Sequence, residues 1–439
     1  MKTDFNNYVL YPPKYELYKN ELAYYGGDPI LPKEARKTTF PNTTKEDIIQ
    51  IMLSVSQNPE NIIKDFENKY KKYVGANYAL CTSSGTSSLH LALISVGVQP
   101  GDEVIVPGFT FIATAQAIVA AKAIPIFVDV DPDTFCIDVK KIEEKITPNT
   151  SVIMPVHVHG LPADLKEIQK ICNKYNLKLV EDASHAHSAK LDNKICGSIG
   201  DAAGQSLMAD KNFPVGGEGG IAFFKKAEYL NRAKAFLEET QIDYQMSWIP
   251  AAFGISQLER LPYYDKIRQR NAKILIKEIE DMKMFVPPLV PENTIHSFNM
   301  FRFHINTDLE EFKGIENYKI KEAIQILLNE EGIFAREWQN KPIPYHLPFK
   351  NKEGFGNKYP FTLNNNNNIN YAEQKFPNIE NMINSTLVFC RELRSPVEYE
   401  KLLHYIEALK KIDNNIDKVI ELTTHINPQK PIEKDARLG

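Results

Sequence analysis

The residue best suited to covalent chemistry is Lys211, which lies among small and apolar residues directly before a glycine-rich loop at 216–220. Burial there would favour the neutral amine of this lysine, and a neutral amine attacks a carbonyl carbon to form a Schiff base. The alternative is an ordinary solvated surface charge, which is the commoner state of a single lysine. Lys211 is therefore a candidate nucleophile whose assignment depends on the residues around it.

A second segment, residues 81–89, combines small and hydroxyl-bearing residues at a strand end, a turn and a helix start. Backbone N–H groups at a helix N-terminus bind anions, and neighbouring hydroxyl groups add further donors. Gly85 and Thr86 are therefore candidate phosphate contacts. The segment could instead be a simple Ser/Thr helix cap.

Asp182 follows an apolar run, and His185 and His187 come directly after it. A carboxylate at the carboxyl end of a parallel strand faces the crevice where α/β sheets bind ligands. Asp182 could also merely cap the next segment. Two histidines and one acid at this spacing are a weak zinc pattern, and we expect no metal.

Phe109 and Phe111 lie at another strand-to-helix turn, within residues 106–114. A phenylalanine is usually a core residue, but an aromatic ring exposed at this turn could cover a planar cofactor. The four segments together supply a phosphate site, an aromatic cover, an acid and a lysine 29 residues beyond it (211 − 182). Pyridoxal 5′-phosphate requires this set: a lysine for its aldehyde, an aspartate for its ring nitrogen, and dipoles and hydroxyls for its phosphate.

Short apolar runs alternate with helical patterns between residues 77 and 224, which predicts βαβ units, a mainly parallel sheet and helices on both of its faces. The predicted strands are Tyr78–Thr82, Glu103–Val106, Pro125–Val130, Ser151–Val156, Leu177–Glu181 and Gly220–Phe223. We predict an N-terminal arm at 1–60, a large domain at 61–290 and a smaller α+β domain at 291–439.

Composition excludes several classes of protein. The 439 residues include 52 Lys+Arg and 56 Asp+Glu, so the formal charge is −4, and no basic excess indicates a nucleic-acid partner. No run approaches the roughly 18 apolar residues of a membrane span, and the N-terminus has no apolar signal region. Five cysteines without CxxC spacing favour a reducing, cytoplasmic compartment with the thiols in the core.

The sequence resembles the DegT/DnrJ/EryC1/StrS family of pyridoxal-phosphate-dependent sugar aminotransferases. The resemblance runs from about residue 66 to residue 261. Its most specific blocks are Pro100–Pro107, Val128–Pro132, Glu181–Ala183 and the Ser-x4-Lys pattern of Ser206 and Lys211.

This resemblance implies a three-layer αβα fold of type I and a homodimer with active sites at the subunit interface. It implies that Lys211 is the Schiff-base lysine and proton carrier, and that Asp182 pairs with the pyridine nitrogen. Phe111 and His185 would stack on the two ring faces. The phosphate contacts would be Gly85, Thr86 and Ser206.

Three departures from the family pattern bear on these assignments. His185 replaces the glutamine that is commoner in the family, and the glycine-rich loop carries one extra residue before Glu218. The family usually has Asn-x-Arg where this chain has Asp243-Tyr244-Gln245. Because an aspartate would repel a phosphate, the contact with a neighbouring subunit's phosphate is not carried over.

The implied activity is transfer of an amino group from glutamate or glutamine to a keto sugar, keto-cyclitol or related polyol ketone. Two alternatives remain at this point. One is a sugar dehydratase of the same fold, although such members tend to replace the lysine with histidine. The other is a non-catalytic regulatory protein, which a lost lysine would favour; here Lys211 is present.

Overall fold

The structure is a computed structural model that describes residues 21–32, 43–363, 369–390 and 399–435. Its helices are α1 Lys45–Ser54, α2 Pro59–Val74, α3 Gly85–Val96, α4 Ile112–Ala120, α5 Leu165–Tyr175, α6 Ala227–Thr240, α7 Trp248–Glu280, α8 Asn317–Glu330, α9 Leu347–Lys350, α10 Pro377–Ile383, α11 Tyr399–Asp413 and α12 Ile416–His425. Its strands are β1 Tyr78–Thr82, β2 Glu103–Pro107, β3 Ile124–Val128, β4 Thr150–Ile153, β5 Lys178–Asp182, β6 Lys190–Leu191, β7 Lys194–Ile195, β8 Ala202–Ser206, β9 Gly220–Phe224, β10 Phe285–Val286, β11 Thr294–Ile295, β12 Phe301–Ile305 and β13 Thr386–Phe389.

A seven-stranded sheet in the order β1-β9-β8-β5-β4-β2-β3 forms the centre of the fold. Strand β9 is antiparallel to both of its neighbours, and the remaining neighbours pair in parallel. The predicted α/β class with a mainly parallel sheet is confirmed. All six predicted strands exist, with ends that differ from the prediction by at most three residues.

The sheet is buried on both faces, which gives the fold its three layers. In β2, Val104 and Val106 contribute to one apolar core, whereas Ile105 between them contributes to a core on the opposite face. This alternation follows from the two-residue period of a strand. Leu89 of α3 lies in the first core and Ile168 of α5 in the second.

Strand β8 is absent from the sequence prediction, because its sequence Ala-Ala-Gly-Gln-Ser has no large apolar residue. The small residues are needed because α3 lies directly against this strand. A Cβ atom on Gly204 would lie 2.7 Å from Leu89 Cδ2 and 2.8 Å from Leu89 N. The Ser88 hydroxyl also donates hydrogen bonds to the carbonyls of Gly85 and Gln205, at 2.7 and 3.2 Å. Close packing of the helix thus replaces the apolar pattern that usually marks a central strand.

A separate apolar core lies between β10, β12 and β13 and the helices α8, α11 and α12, together with the last turns of α7. Leu22, Ile30 and Leu31, from the predicted N-terminal arm, are also buried in this core. The buried carboxylate of Glu331 binds the backbone N–H groups of Ala23 and Ile30. Residues 1–20 and 33–42 of the predicted arm lie outside the described residues.

The segment after α8 joins this second core to the central sheet. The Ile343 N–H donates to the Gly108 carbonyl at 2.8 Å, directly after β2. The Asn340 amide donates to the carbonyls of Lys434 and Asp435, at 3.3 and 2.8 Å. Residues 338–346 are therefore held on one side by the end of β2 and on the other by the C-terminal segment.

All five cysteines are buried free thiols, as expected from their number and spacing. Burial raises the pKa of Cys136 to about 11 and that of Cys172 to about 12. These thiols therefore stay protonated near neutral pH and act as small apolar core residues. Across the described ranges, none of the helices has both the length and the apolar character needed to cross a bilayer.

The close approach of α3 to β8 predicts the effect of adding one methyl group there. Gly204→Ala should lower the free energy of unfolding by about 2 kcal/mol, because the new Cβ would overlap Leu89. Urea denaturation is the measurement. Gly217→Ala is the matched control, since a Cβ there meets no atom within 4 Å. Equal effects of the two substitutions would contradict this account of β8.

Candidate active site

The N-terminus of α3 and the end of β8 form a close-fitting cradle. Helix α3 starts at Gly85, and its cap is Ser84, whose side chain accepts from the Ser87 N–H at 3.1 Å. A Cβ on Gly85 would lie 2.6 Å from the Cβ of Ser206. Thr86 and Ser206 are half-buried beside this contact. The three predicted phosphate contacts therefore meet at a helix N-terminus that has room for no larger residue at position 85.

Asp182 lies at the carboxyl end of β5, next to this cradle. Its side chain is 3% exposed. Its Oδ2 accepts from the Thr114 hydroxyl at 2.7 Å and its Oδ1 from the Ser184 N–H at 3.0 Å. The Ser184 hydroxyl in turn accepts from the Ser206 N–H at 3.2 Å. Hydrogen bonds thus connect the predicted acid to the predicted phosphate site.

Thr114 brings the start of α4 to the carboxylate. Phe111 is the N-cap residue of α4, and its carbonyl accepts from the Thr114 N–H at 3.1 Å. Phe111 is half-buried and lies one helical turn before Thr114, the residue that contacts Asp182. The contact of Thr114 with Asp182 was not predicted from the sequence. A threonine on the first turn of a helix after a strand end was the available signal.

Lys211 lies in a loop that returns from β8 to β9. Backbone hydrogen bonds hold this loop, since the Lys211 N–H donates to the Met208 carbonyl at 3.0 Å and the Leu207 N–H donates to the Gly219 carbonyl at 2.8 Å. The Asn212 amide donates to the Ser297 carbonyl at 2.9 Å. Lys211 is half-buried and follows Ser206 by five residues. The candidate nucleophile therefore lies on a turn whose backbone is held in place.

His185 and His187 have different surroundings. His185 is 5% exposed, and its ring centroid lies 5.5 Å from that of Trp338, which belongs to the 338–346 segment. The His187 Nε2 lies 2.8 Å from the Ser206 carbonyl, so it carries the proton and donates. His187 thereby fixes the end of β8. No sequence pattern indicates that Trp338 contacts His185, because 153 residues (338 − 185) separate them.

A buried cluster behind Asp182 comprises His157, Glu181 and Cys196, a combination of residue types that can bind metals. Glu181 accepts from the N–H groups of Gly197, Ile199 and Gly200, at 2.7, 2.8 and 2.6 Å, and contacts His157 Nε2 at 3.0 Å. The His157 Nδ1 accepts from a backbone N–H, so its Nε2 donates. The Glu181 oxygens and the His157 Nδ1 already accept hydrogen bonds from protein groups, which favours a structural role over metal binding.

The charge state of this cluster follows from its contacts. Burial by itself would raise the pKa of Glu181, but the hydrogen bonds from His157 and from the N–H groups of Gly200 and Gly197 hold the pKa below its ordinary value. Burial, together with the nearby Glu181, raises the pKa of Cys196 well above its usual range. Glu181 is therefore a carboxylate and Cys196 a thiol near neutral pH.

The unusual segment at 243–245 lies against the same chain's cradle. The Tyr244 carbonyl accepts from the Ser83 N–H at 2.7 Å, and the Tyr244 hydroxyl lies 2.9 Å from His90 Nδ1. The Asp243 carboxylate accepts from the Gln245 N–H at 2.9 Å. Tyr244 therefore supports the turn before α3, while Asp243 is engaged within its own segment.

The donor set fits pyridoxal 5′-phosphate. The Gly85 backbone lies at a helix N-terminus beside the Ser206 hydroxyl, and such a combination of donors suits a phosphate. Asp182 is a buried acid with a donor on each oxygen, which suits a protonated ring nitrogen. Lys211 lies five residues after Ser206, on a turn that its own N–H closes by donating to the Met208 carbonyl. Asp182 and Ser206 also lie at the carboxyl ends of the neighbouring strands β5 and β8, where α/β sheets bind ligands.

Residues 42–382 match the DegT/DnrJ/EryC1/StrS aminotransferase family. A putative L-glutamine:3-amino-2,3-dideoxy-scyllo-inosose aminotransferase of Micromonospora echinospora is 30% identical over 69% of this chain and 77% of its own. GDP-perosamine synthase of Escherichia coli O157:H7 is 36% identical over 66% of this chain and 83% of its own. The crystal structure of 3-amino-5-hydroxybenzoic acid synthase superposes with a TM-score of 0.73 at 25% identity, covering 88% of this chain and 98% of that one.

The chain belongs to the DegT/DnrJ/EryC1/StrS aminotransferase family. It is a pyridoxal-phosphate-dependent aminotransferase with the three-layer αβα fold of that class. The family resemblance, fold class, cofactor and enzyme class expected from the sequence are therefore confirmed.

The buried Glu181 cluster predicts a pH-dependent effect on stability. Glu181→Gln should lower the free energy of unfolding at pH 7 by about 3 kcal/mol, because it removes the charge that strengthens four buried hydrogen bonds and replaces an acceptor oxygen with a donor. The folded-state pKa of Glu181 lies below the unfolded value. Its contribution is therefore complete above about pH 4.3 and is lost as the pH falls through the folded-state pKa.

Urea denaturation of both proteins between pH 3 and pH 8 is the measurement. The difference in unfolding free energy should shrink at the acid end of this range. The exposed Glu239→Gln on α6 serves as the control and should change stability little at any pH. A difference that stays constant down to pH 3 would show that the Glu181 charge does not stabilise the fold.

Proposed function

We propose that this aminotransferase moves an amino group from glutamate or glutamine to the carbonyl carbon of a keto sugar, keto-cyclitol or related polyol ketone. The observation that carries the proposal is the hydrogen-bonded connection from the buried Asp182, through Ser184, to Ser206 and the Gly85 cradle. It joins an acid for a ring nitrogen to a site for a phosphate. Lys211 follows Ser206 by five residues, which is the Ser-x4-Lys spacing that supports its role as the Schiff-base lysine.

The proposed residue roles follow from this geometry. The α3 N-terminus at Gly85 and Thr86, with the Ser206 hydroxyl, binds the cofactor's phosphate. Asp182 pairs with the protonated pyridine nitrogen, and the hydrogen bonds that its oxygens accept from Thr114 and Ser184 fix the orientation of the carboxylate. The two faces of the cofactor ring are covered by Phe111 and His185.

Lys211 has two tasks in this proposal. Its Nζ would hold the cofactor covalently at the aldehyde carbon, and the same amine would carry a proton once the amino donor has released it. The released amine takes the proton from the donor's Cα. Pyridoxal phosphate supplies an electron sink for the electron pair left at that carbon. The same amine returns a proton when the acceptor ketone is converted to an amine.

The acceptor class is inferred from the relatives. The relatives named above act, by their names, on an amino-deoxy-inosose and in the synthesis of GDP-perosamine. Inosose and sugar substrates share a polyhydroxylated six-membered ring, and this shared chemistry defines the acceptor class proposed here. We expect the enzyme to work in sugar or natural-product biosynthesis, or in the synthesis of surface polysaccharide.

The proposed organisation retains an arm at 1–60, a cofactor-binding domain at 61–290 and a small domain at 291–439. A cytoplasmic location is proposed from the buried free thiols, which a reducing compartment preserves. The near-neutral charge supports small-molecule partners rather than nucleic acid. Neither a membrane nor a metal partner is proposed.

We further propose that the enzyme is a homodimer that uses the outer face of α1. The exposed apolar residues in and directly after this helix are between 49% and 69% exposed and form one surface: Ile48, Ile49, Met52, Leu53 and Val55. The opposite side of the helix is anchored, since the buried Asp47 accepts from Gln257 and pairs with Arg260. An exposed apolar surface on a well-anchored helix is typical of a protein interface.

A spectrum tests the cofactor and the lysine together. Purified protein incubated with pyridoxal phosphate and freed of excess should show a visible absorption band that glutamate or glutamine bleaches. Lys211→Ala should shift or abolish this band and lower the rate of bleaching by at least about a thousandfold. The exposed Lys194→Ala is the control and should behave as the wild type. A band that Lys211→Ala leaves unchanged would refute the role of Lys211.

Sedimentation velocity tests the dimer. The wild-type protein should sediment as a dimer of the 50.0 kDa chain. The double substitution Met52→Asp/Leu53→Asp should raise the dissociation constant at least about tenfold, because it buries two charges in the interface. Phe355→Asp, at a residue that is 61% exposed elsewhere, is the control and should stay dimeric. A monomeric wild-type protein would contradict the proposal.

A further inference from the structure

A group of aromatic rings surrounds Trp338 behind the candidate active site. The Trp338 ring centroid lies 4.7 Å from that of His159, 5.1 Å from that of Phe109 and 5.5 Å from that of His185. His159 and His185 are nearly parallel, with an interplanar angle of 22° and centroids 6.5 Å apart. His159 therefore lies behind the residue proposed to stack on the cofactor.

The backbone at His159 adopts an uncommon conformation. Its φ is 57°, in the left-handed region that non-glycine residues rarely occupy. Gly160 follows with φ 99°, and a Cβ there would lie 2.3 Å from Ser297 Oγ and 2.9 Å from the His185 carbonyl oxygen. The Ser297 hydroxyl also donates to that carbonyl at 2.9 Å. The turn that positions the His159 ring is thus packed directly against the backbone of His185.

The His159 ring is also an exception among buried polar groups. The side chain is 1% exposed, and neither ring nitrogen has a hydrogen-bond partner within the described ranges. Buried polar atoms are almost always hydrogen-bonded, so an exception needs an explanation. Strain and unpaired polar atoms together favour a functional role.

The electrostatic surroundings keep this imidazole neutral. Burial, and then the charges of Arg302 and His296, lower the pKa of His159 well below its usual range. Burial and Arg302 also lower the pKa of His304, which packs against the neighbouring Phe135, to about 4. A neutral ring places no charge behind His185.

We propose that His159 is a positioning residue that, with the indole of Trp338, holds the His185 ring in the orientation needed to cover the cofactor. The proposal rests on the proposed function only in assigning the cofactor face to His185. The His159 ring lies nearly parallel to the His185 ring, and both rings meet the Trp338 indole at steep angles. The left-handed turn at 159–160 fixes the orientation of the His159 ring. Through Trp338, the His185 ring also contacts the 338–346 segment.

The chain provides its own reporter for this proposal. It contains two tryptophans, Trp248 and Trp338, so Trp248→Phe leaves Trp338 as a single tryptophan fluorophore beside His185. In this background, pyridoxal phosphate should quench the fluorescence, since the bound cofactor would stack one ring beyond His185. His159→Ala should reduce the quenching at saturation by at least about twofold and slow bleaching by the donor about tenfold.

Two further variants separate positioning from general packing. His159→Phe keeps a flat ring and should restore quenching and rate to within about twofold of the parent protein. Phe135→Leu removes another ring of the same group, whose centroid lies 6.2 Å from that of His159, and it leaves the contact between Trp338 and His185 in place. It should lower the melting temperature and leave the quenching unchanged. If His159→Ala is insoluble, His159→Leu replaces it with the same expectation.

The proposal is overturned if His159→Ala or His159→Leu quenches like the parent, if His159→Phe fails to restore quenching, or if Phe135→Leu reproduces the loss. Failure of the proposed function has a different signature. In that case the parent protein with Lys211 intact would show no visible band with pyridoxal phosphate. A normal band in the parent, combined with no effect of His159→Ala, would refute the positioning role alone.

Discussion

The buried carboxylate of Glu181 is the interaction on which the candidate site depends. It accepts hydrogen bonds from the N–H groups of Gly197, Ile199 and Gly200 on one side and contacts the His157 ring on the other. Because successive residues of a strand face opposite sides of the sheet, fixing Glu181 directs Asp182 toward Thr114. The structural acid and the proposed catalytic acid are adjacent residues with separate environments.

The sequence was sufficient for the elements whose patterns are local. Strand β1 coincides with its predicted bounds, and the other predicted strands differ only at their ends. The segments that carry Gly85, Asp182 and Ser206 are recognisable because each combines a strand end with small or polar residues. The structure brings these three segments together, as the parallel topology predicts.

The features that the sequence did not reveal depend on contacts between distant residues. Strand β8 lacks an apolar pattern because α3 packs against it, and that contact is visible only in three dimensions. Thr114 and Trp338 reach the site from segments whose own sequences resemble ordinary helix and loop residues. His159 precedes a glycine, but its left-handed backbone follows from the packing of Gly160 against Ser297 and His185. The lack of hydrogen-bond partners for its ring nitrogens among the described residues is likewise visible only in three dimensions.

The order of strands in the central sheet also constrains how the site forms during synthesis. The cradle joins Gly85 to Ser206, which lies 121 residues later (206 − 85), and β1 obtains its neighbour only when β9 has been made. Closing such a long loop is slow compared with forming local helices. Until the ribosome has made residue 206, α3 therefore has no complete strand β8 to cover its apolar side. The nascent chain thus carries α3 without its cover from β8 through the synthesis of about a quarter of its length, and chaperones bind unfinished proteins in such intervals.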